Sequence, residues 1–214
     1  MELFTIPSAG AIIERTINGE KYVLIQERFK ESLPSENGLL EIPGGKIREY
    51  ENIYDCLRRE VEEETGLEIT KIQGEEESII VEYCGYKVLN YTPFTCAQNI
   101  EGYYPVMVEV FICEARGNLL THTNETKNIR WISLDKLRSL LQQNEKSFYP
   151  MHLIQLKKYL NLERRRWKRK QLHDEIKRLK EDKEKLIIQL VEMEELKYEN
   201  KRLREQLDKL KSIK

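Results

Sequence analysis

The chain has 214 residues, of which 40% are hydrophobic and 34% charged, enough for one core plus a polar appendage. The net charge of −1 conceals an asymmetry: residues 161–214 carry 18 Lys and Arg against 12 Asp and Glu, whereas residues 1–160 are acidic. Four cysteines without a CxxC pair, no secretory signal and no apolar run of about 18 residues argue against zinc-binding, secreted and membrane-spanning classes. We therefore expect a cytoplasmic protein.

The first two predicted strands form a β-hairpin. Ala9–Arg15 and Lys21–Arg28 are rich in Ile and Val, and an Asn-Gly pair lies between them at positions 18 and 19. Asn-Gly accepts the positive φ angles of a type I′ turn. A short buried strand is predicted at Gly38–Ile42, and Pro-Gly-Gly at positions 43–45 is predicted to end it.

The first predicted helix covers Asn52–Thr65. Ile53, Leu57 and Val61 recur at a spacing of four residues and form one apolar stripe. Gly66 follows the last turn, where glycine commonly ends a helix. The pattern therefore predicts an amphipathic helix that packs one face on a sheet.

The rest of the first part alternates strands and helices. Three strand-like segments lie between Leu67 and Arg116, with Gly85 at a predicted bend, and Asn128–Ser133 is a further strand. Helices are predicted from Ser133 to about Gln143 and from Pro150 to Leu160. This order predicts an α/β domain with a mixed sheet over residues 1–160.

Residues 161–214 contain neither proline nor glycine, which favours a long helix. Apolar residues recur there with heptad spacing, apart from Lys183, a three-residue step after Met193, and Asn200 at an a-type position. The apolar members of the seam are Leu172, Ile176, Leu179, Leu186, Leu190, Met193, Leu196, Leu203, Leu207 and Leu210. The pattern predicts a coiled coil that forms a homodimer; the alternatives are a helix folded onto the first domain and an exposed charged helix.

The helix that follows Asn52 carries an acidic cluster. Glu60, Glu63 and Glu64 have the spacing that places side chains on one helix face. Like charges so close together destabilise a helix unless a cation neutralises them, and carboxylate oxygens suit Mg²⁺ or Mn²⁺. On this evidence alone, a solvated acidic helix face is an equally good interpretation.

The surrounding residues decide between the two interpretations. Gly45 is followed six positions later by Glu51, and then by REVEEETGL at Arg59–Leu67. This pattern resembles the Nudix box, and every defined position of the box is matched. The flanking sequences AGAIIER, QER and LEIPGGK also resemble the family. The resemblance implies a Nudix-type α/β/α sandwich that uses Mg²⁺ or Mn²⁺ to hydrolyse the pyrophosphate of a nucleoside diphosphate linked to another moiety.

The resemblance also implies roles for individual residues. Glu60 and Glu64 are the main metal ligands, Glu63 beside them is both a ligand and a catalytic carboxylate, and a backbone carbonyl near Gly45 completes the metal shell. Charge explains why a metal is needed, because carboxylates would otherwise repel a pyrophosphate.

Further roles follow from the same resemblance. Arg59 pairs with Glu51 and braces the loop against the helix. A Glu opposite the box acts as the general base or as an extra metal ligand, with Glu125 as the first choice and Glu109 or Glu114 as alternatives. A plain loop residue is an equally good interpretation of Glu125.

Substrate contacts are predicted outside the box. Arg28 is predicted to meet a phosphate, and Tyr83 a nucleobase; the alternatives are a surface Arg and a Tyr that packs on the sheet. Tyr83 lies 17 residues beyond Gly66, a position at which dinucleoside polyphosphate hydrolases of the family often carry Tyr. Glu82 stands where ADP-ribose hydrolases often carry Pro.

A second function class remains open, in which the domain senses a nucleotide and the tail recruits a partner. The basic run Arg164–Lys170, with one Trp among six basic residues, is compatible with nucleic-acid binding, although a solvated start of the coiled coil is the favoured interpretation.

Overall fold

The computed structural model describes residues 2–211, with side chains described as far as residue 209. It contains ten strands, three α-helices and three short 3₁₀ turns. The strands are β1 (Ile6–Ile17), β2 (Glu20–Arg28), β3 (Leu40–Glu41), β4 (Gly44–Lys46), β5 (Glu68–Ile72), β6 (Ile79–Tyr83), β7 (Tyr86–Asn90), β8 (Thr95–Gln98), β9 (Val106–Arg116) and β10 (Thr126–Ser133). The helices are α1 (Ile53–Thr65), α2 (Leu134–Gln143) and α3 (Pro150–Lys211), and the 3₁₀ turns are Pro34–Glu36, Glu75–Glu77 and Glu145–Ser147.

Eight strands form one mixed sheet. Its main order is β10-β2-β1-β9-β5, and only the β1–β9 pair is parallel among the described strands. β1 and β2 pair only near their shared turn, and further along β4 pairs with β1 while β3 pairs with β2. β8 adds to β9, and β6 and β7 form a separate two-stranded ribbon. The predicted mixed α/β fold is therefore confirmed.

Helices lie on both faces of this sheet. The apolar stripe of α1 packs against Ala11, Ile13 and Leu24 on one face, in a buried core cluster that also includes Phe111 of β9. Burial of this apolar surface is the main favourable term in folding. The other face is covered by α2 and by the first turns of α3, where the hydroxyl of Tyr159 donates a 2.7 Å hydrogen bond to Glu14 of β1.

Local turn signals in the sequence are confirmed. Asn18 and Gly19 have φ angles of 51° and 81° between β1 and β2, as a type I′ turn requires. Gly85, with φ 82°, lies in the turn between β6 and β7. Gly66 has φ 74° and ends α1.

The ends of two predicted elements differ in the structure. The strand predicted at Gly38–Ile42 is shorter, β3, and ends before Pro43 as expected, but Gly44 and Gly45 begin a further strand, β4, paired with Gly10 and Ala9. Glycine is required at position 44 because a β-carbon there would lie 2.3 Å from the carbonyl oxygen of Ala9. The last helix does not stop at Leu160, because no residue in α3 after its first position interrupts the helical pattern.

The chain divides into two compact units, one ending at Asn161 and the other beginning at Leu162. In the second unit the predicted seam residues up to Leu207 are between 43% and 62% exposed; the side chain of Leu210 and residues 212–214 lie outside the described residues. In the basic run, Arg166 pairs with Glu163 at 2.7 Å. The coiled coil stays a prediction.

None of the helices in the described part of the chain combines the length and the apolar character needed to cross a membrane.

Candidate active site

Helix α1 carries the acidic cluster and is fixed at both ends. Asn52 caps its first turn, where its side chain accepts a 2.9 Å hydrogen bond from the backbone N–H of Tyr54. Gly66 ends the last turn in a left-handed conformation, and a β-carbon there would lie 2.9 Å from Leu120. The two ends fix where the glutamates between them point.

Glu64 lies against β2 and β4. Its carboxylate accepts hydrogen bonds from the side-chain amide of Gln26 at 2.8 Å and from the backbone N–H of Gly44 at 3.1 Å. Burial, and then the nearby carboxylate of Glu41, raise the pKa of Glu64 to about 8 despite these two hydrogen bonds. Glu64 is therefore held in position in surroundings where its negative charge is unfavourable.

Glu60 lies against the backbone of Gly45. A β-carbon at position 45 would be 2.2 Å from the carboxyl carbon of Glu60, closer than any side chain can approach. A side chain at position 45 would therefore have to displace the carboxylate of Glu60, the movable end of a long side chain, from the place it occupies.

Arg59 connects the loop before α1 to the carboxylates. Its guanidinium donates to the two oxygens of Glu51 at 2.7 and 2.8 Å, and it also contacts Glu60 and, at 3.4 Å, Glu63. The implied Arg59–Glu51 pair is thus present, in the bidentate form that is both strong and directional. The hydrogen bonds from Arg59 lower the pKa of Glu51 to about 2, and the same pairing raises the pKa of Arg59.

These carboxylates fit a hard divalent cation by their chemistry. Glu60, Glu63 and Glu64 offer only oxygen donors, the type that Mg²⁺ and Mn²⁺ prefer. A cation beside Glu64 would favour its ionised form, which burial now disfavours. Within the described residues, no group of three or more His, Cys, Asp or Glu side chains is already gathered around one point, since these glutamates contact Arg59, Gln26 and Gly44.

A cavity of about 630 Å³ opens beside the carboxylates. Six of the residues predicted to act at the site line it, namely Arg28, Gly45, Arg59, Glu60, Glu63 and Glu125. Three further basic side chains line it as well, namely Lys30, Lys46 and Arg48. The cavity therefore joins acidic groups suited to a cation with basic groups suited to an anion.

Arg28 is held by the protein itself. Its guanidinium pairs with Glu36 at 2.7 Å and with Glu41 at 3.0 Å, and it lies 4.3 Å from the ring centroid of Tyr149. These contacts leave it little freedom to reorganise around a phosphate.

Glu125 reaches the cavity from the loop before β10. Its carboxylate pairs with the ammonium group of Lys30, and its backbone oxygen accepts a 2.7 Å hydrogen bond from the N–H of Phe29. Burial, followed by the charge of Arg28, lowers the pKa of Lys30. The structure thus brings Glu125 to the side of the cavity formed by the end of β2.

Three other predicted residues lie elsewhere. Tyr83 is 77% exposed at the end of β6, in the separate ribbon, because the chain turns at Gly85 before reaching the main sheet. Glu114 is exposed on β9. Glu109 approaches the hydroxyl of Tyr91, whose pKa is raised by burial and then by this hydrogen bond. The geometry thus favours Glu125 over the two alternatives and places Tyr83 away from the cavity.

Several residues of the site were not identified from the sequence. Gln26 and Glu41 fall in the flanking stretches QER and LEIPGGK that resemble the family, but no role was assigned to them, and Lys30 lies outside both stretches; all three reach the box through the tertiary pairing of β2, β3 and α1. His152 lines the cavity from α3, more than 80 residues from the box. Alternation within β2 predicts that Gln26 and Arg28 share a face, but it cannot indicate that α1 packs there.

Comparisons with known proteins identify the family and the fold. The family model of the NUDIX domain matches residues 5–152. The NUDIX domain of Shewanella oneidensis NrtR, complexed with ADP ribose, has a TM-score of 0.52 and 15% identity, covering 76% of this chain and 90% of that one. A C. elegans Ap4A hydrolase binary complex (TM-score 0.44, 16% identity, 73% and 96% covered) and the MutT protein from Methanosarcina mazei Go1 (0.47, 22%, 77% and 98%) are also similar. No curated protein sequence matches the chain. Because the family match spans well over half of its length, the chain belongs to the Nudix family of pyrophosphohydrolases.

Proposed function

We propose that this protein hydrolyses a pyrophosphate bond in a nucleoside diphosphate linked to another moiety, with Mg²⁺, or Mn²⁺ in its place. One observation carries the proposal: Glu60 and Glu64 are held against the backbone of Gly45 and Gly44 beside a cavity that is also lined by basic side chains. Such a combination suits an anionic substrate bound together with a cation.

The cation would be held by the carboxylates of Glu60, Glu63 and Glu64 and by the carbonyl of Gly45. When bound, it would offset the charge of the phosphates and lower the pKa of a coordinated water. Gln26 and Arg59 support this set, because they hydrogen-bond Glu64 and Glu60 and so restrict where the two carboxylates point.

Basic residues of the cavity bind the phosphates. Lys30, Lys46 and Arg48 line the cavity and supply positive charge without the multiple internal ion pairs that hold Arg28. Arg28 orders Glu41 and Tyr149 and so shapes the wall, a positioning role in place of the direct phosphate contact first expected.

Glu125 accepts the proton of the attacking water. It reaches the cavity from the loop before β10 and lies next to Lys30, whereas Glu41, which also lines the cavity from outside α1, is paired with Arg28. The ion pair with Lys30 holds the Glu125 carboxylate at the edge of the cavity, and a carboxylate within reach of a bound water suits the role of a general base.

The test is hydrolysis of a substrate panel with Mg²⁺ and with Mn²⁺. The panel includes dinucleoside polyphosphates, ADP-ribose, nucleotide sugars and nucleoside triphosphates, and a chelator in place of metal is the control. Metal-dependent release of a nucleoside monophosphate supports the proposal. Binding of these compounds without any turnover would instead favour the sensor or adaptor function.

The second unit forms a parallel homodimer in our proposal. The exposed seam needs apolar cover, and in a parallel pair in register Glu175 would face Lys180 of the second copy, and Glu199 would face Arg204. Ending the chain after Asn161 should convert a dimer into a monomer, as measured by light scattering against the mass of the truncated chain. A truncated protein that is still a dimer would show that the seam does not hold the oligomer.

We also propose a cytoplasmic location. All four cysteines are free thiols, and free thiols are usual in a reducing compartment. Cell fractionation of the tagged protein tests the location, and recovery with secreted proteins would contradict it.

A further inference from the structure

One side of the cavity, called here the uncharged side, is lined by side chains that carry no charge at pH 7, although the guanidinium of Arg28 lies over the ring of one of them, Tyr149. This side is formed by β9, the loop before it and the start of α3, whereas the carboxylates and cations lie on β2, β4, α1 and their loops. The uncharged side consists of Tyr104, Val106, Val108, Tyr149, Met151 and His152. A phosphate gains nothing from such a surface, but a flat aromatic base buries apolar area against it. A sugar, in contrast, needs more hydrogen-bonding partners than two phenols and one imidazole supply.

The start of α3 is fixed to the sheet at this place. Phe148 forms a β-bridge with Leu40 of β3, and the backbone N–H of Tyr149 donates a 2.8 Å hydrogen bond to the carbonyl of Leu40. His152, one turn later, is 7% exposed, and its ring meets that of Tyr149 edge to face with centroids 5.3 Å apart. The imidazole is therefore held in one orientation.

The hydrogen bond made by the ring fixes its tautomer. The backbone N–H of Ile42 donates to Nδ1 of His152 at 3.4 Å, so Nδ1 carries a lone pair and the proton of the neutral ring is on Nε2. Burial, and then the charge of Arg28, lower the pKa of His152 to about 3, so the ring is neutral near pH 7. No acceptor for Nε2–H is found among the described residues.

We propose that His152 is a specificity residue, which donates Nε2–H to a carbonyl oxygen of a nucleobase bound on the uncharged side of the cavity. The inference rests on the proposed function, since it assigns one moiety of the same substrate. It predicts a preference for bases that carry a carbonyl over matched bases that carry an amino group at the same ring carbon, because an amino group offers a donor where an acceptor is needed.

Calorimetric binding of nucleoside 5′-monophosphates tests this preference without turnover. Inosine and adenosine monophosphates form one matched pair, and uridine and cytidine monophosphates form another, with ribose 5-phosphate as the compound without a base. The native protein should bind the carbonyl member of at least one pair about tenfold more tightly, the size expected for one hydrogen bond.

Two substitutions separate the hydrogen bond to the base from the fold. His152→Asn places its amide oxygen near Nδ1, so it keeps an acceptor for Ile42 but loses the outer donor; it should remove the discrimination and leave binding of ribose 5-phosphate unchanged. His152→Gln places its amide nitrogen near Nε2 and should keep part of the discrimination. The inference is overturned if the native protein distinguishes neither pair, or if His152→Asn keeps the native ratio.

The same proteins, assayed for hydrolysis, keep the two claims apart. Base discrimination without turnover of any substrate would reject the proposed hydrolase function and retain the role of His152. Turnover without base discrimination would reject the role of His152 and retain the hydrolase function.

Discussion

The carboxylate of Glu60 occupies the space that a side chain on Gly45 would need. A β-carbon at position 45 would lie 2.2 Å from the carboxyl carbon and 2.3 and 2.4 Å from the two oxygens. A side chain at position 45 and the observed position of the Glu60 carboxylate therefore exclude each other. This contact gives a structural reason for the first glycine of the box, Gly45.

Gly45→Ala should therefore displace Glu60 and lower activity by about 100-fold, the size of effect that a shift of about 1 Å can have on a catalytic group. Gly10→Ala on the neighbouring strand is the matched control, since its β-carbon would meet only side chains at 3.4 Å or more. Turnover and melting temperature are measured for both. Equal activity of the two variants would show that Glu60 can move without cost to the reaction.

Glu51 should make the fold sensitive to acid. Its pKa in the folded protein is about 2, against 4.5 for an ordinary Glu, so the Arg59–Glu51 pair stabilises the protein above about pH 4.5. That contribution is lost as the pH falls toward 2. Melting temperatures between these pH values should fall less steeply in Glu51→Gln than in the native protein. Glu62→Gln, at an exposed position of the same helix, should behave as the native protein does; an identical slope for all three proteins would contradict the prediction.

Glu64 should make the fold less stable as the pH rises, the opposite of the pH dependence expected from Glu51. Its pKa in the folded protein is about 8, above that of the unfolded chain, so without divalent cations stability falls as the pH rises from 4.5 to 8. Glu64→Gln, which can still accept from Gln26 and Gly44, should raise the melting temperature at pH 8 by at least about 2 °C, equivalent to roughly 1 kcal/mol, while it abolishes activity. A lower melting temperature would show that the charged carboxylate stabilises the fold.

Glu125 is predicted to be the general base. Glu125→Gln should lower kcat by about 10²-fold to 10⁴-fold with little change in KM. Glu109→Gln and Glu114→Gln test the alternatives and should keep kcat within a few-fold of the native value, because neither side chain lines the cavity. A larger loss in either of them than in Glu125→Gln would reassign the base.

Short-range sequence signals predicted several elements of the fold, and the family pattern predicted the part of the site that lies in the box. The Asn-Gly turn, the apolar stripe of α1 and the glycine at its end are short-range signals that act over a few residues. The Arg59–Glu51 pair was implied by the family pattern. Gly45 was identified, but its steric cause became visible only when β4 and α1 were placed side by side.

Long-range contacts explain what could not be predicted. Gln26 meets Glu64 across 38 residues, Lys30 meets Glu125 across 95, and His152 meets Ile42 across 110. Sequence periodicity cannot predict these long-range contacts, because they depend on how the sheet and the helices pack. The role of Tyr83 stays a prediction: its spacing from the box fits, but it lies in the ribbon formed by β6 and β7 and does not line the cavity.

The central claim is that the carboxylates of α1 carry out metal-dependent hydrolysis of a pyrophosphate. The most direct measurement compares the native protein, Glu60→Gln, Glu64→Gln and Glu62→Gln for nucleoside monophosphate release with Mg²⁺, on whichever compound of the panel the native protein turns over. Hydrolysis should be lost in the first two variants and retained in Glu62→Gln, whose side chain points to solvent on the same helix. Turnover that survives both Glu60→Gln and Glu64→Gln would contradict the account.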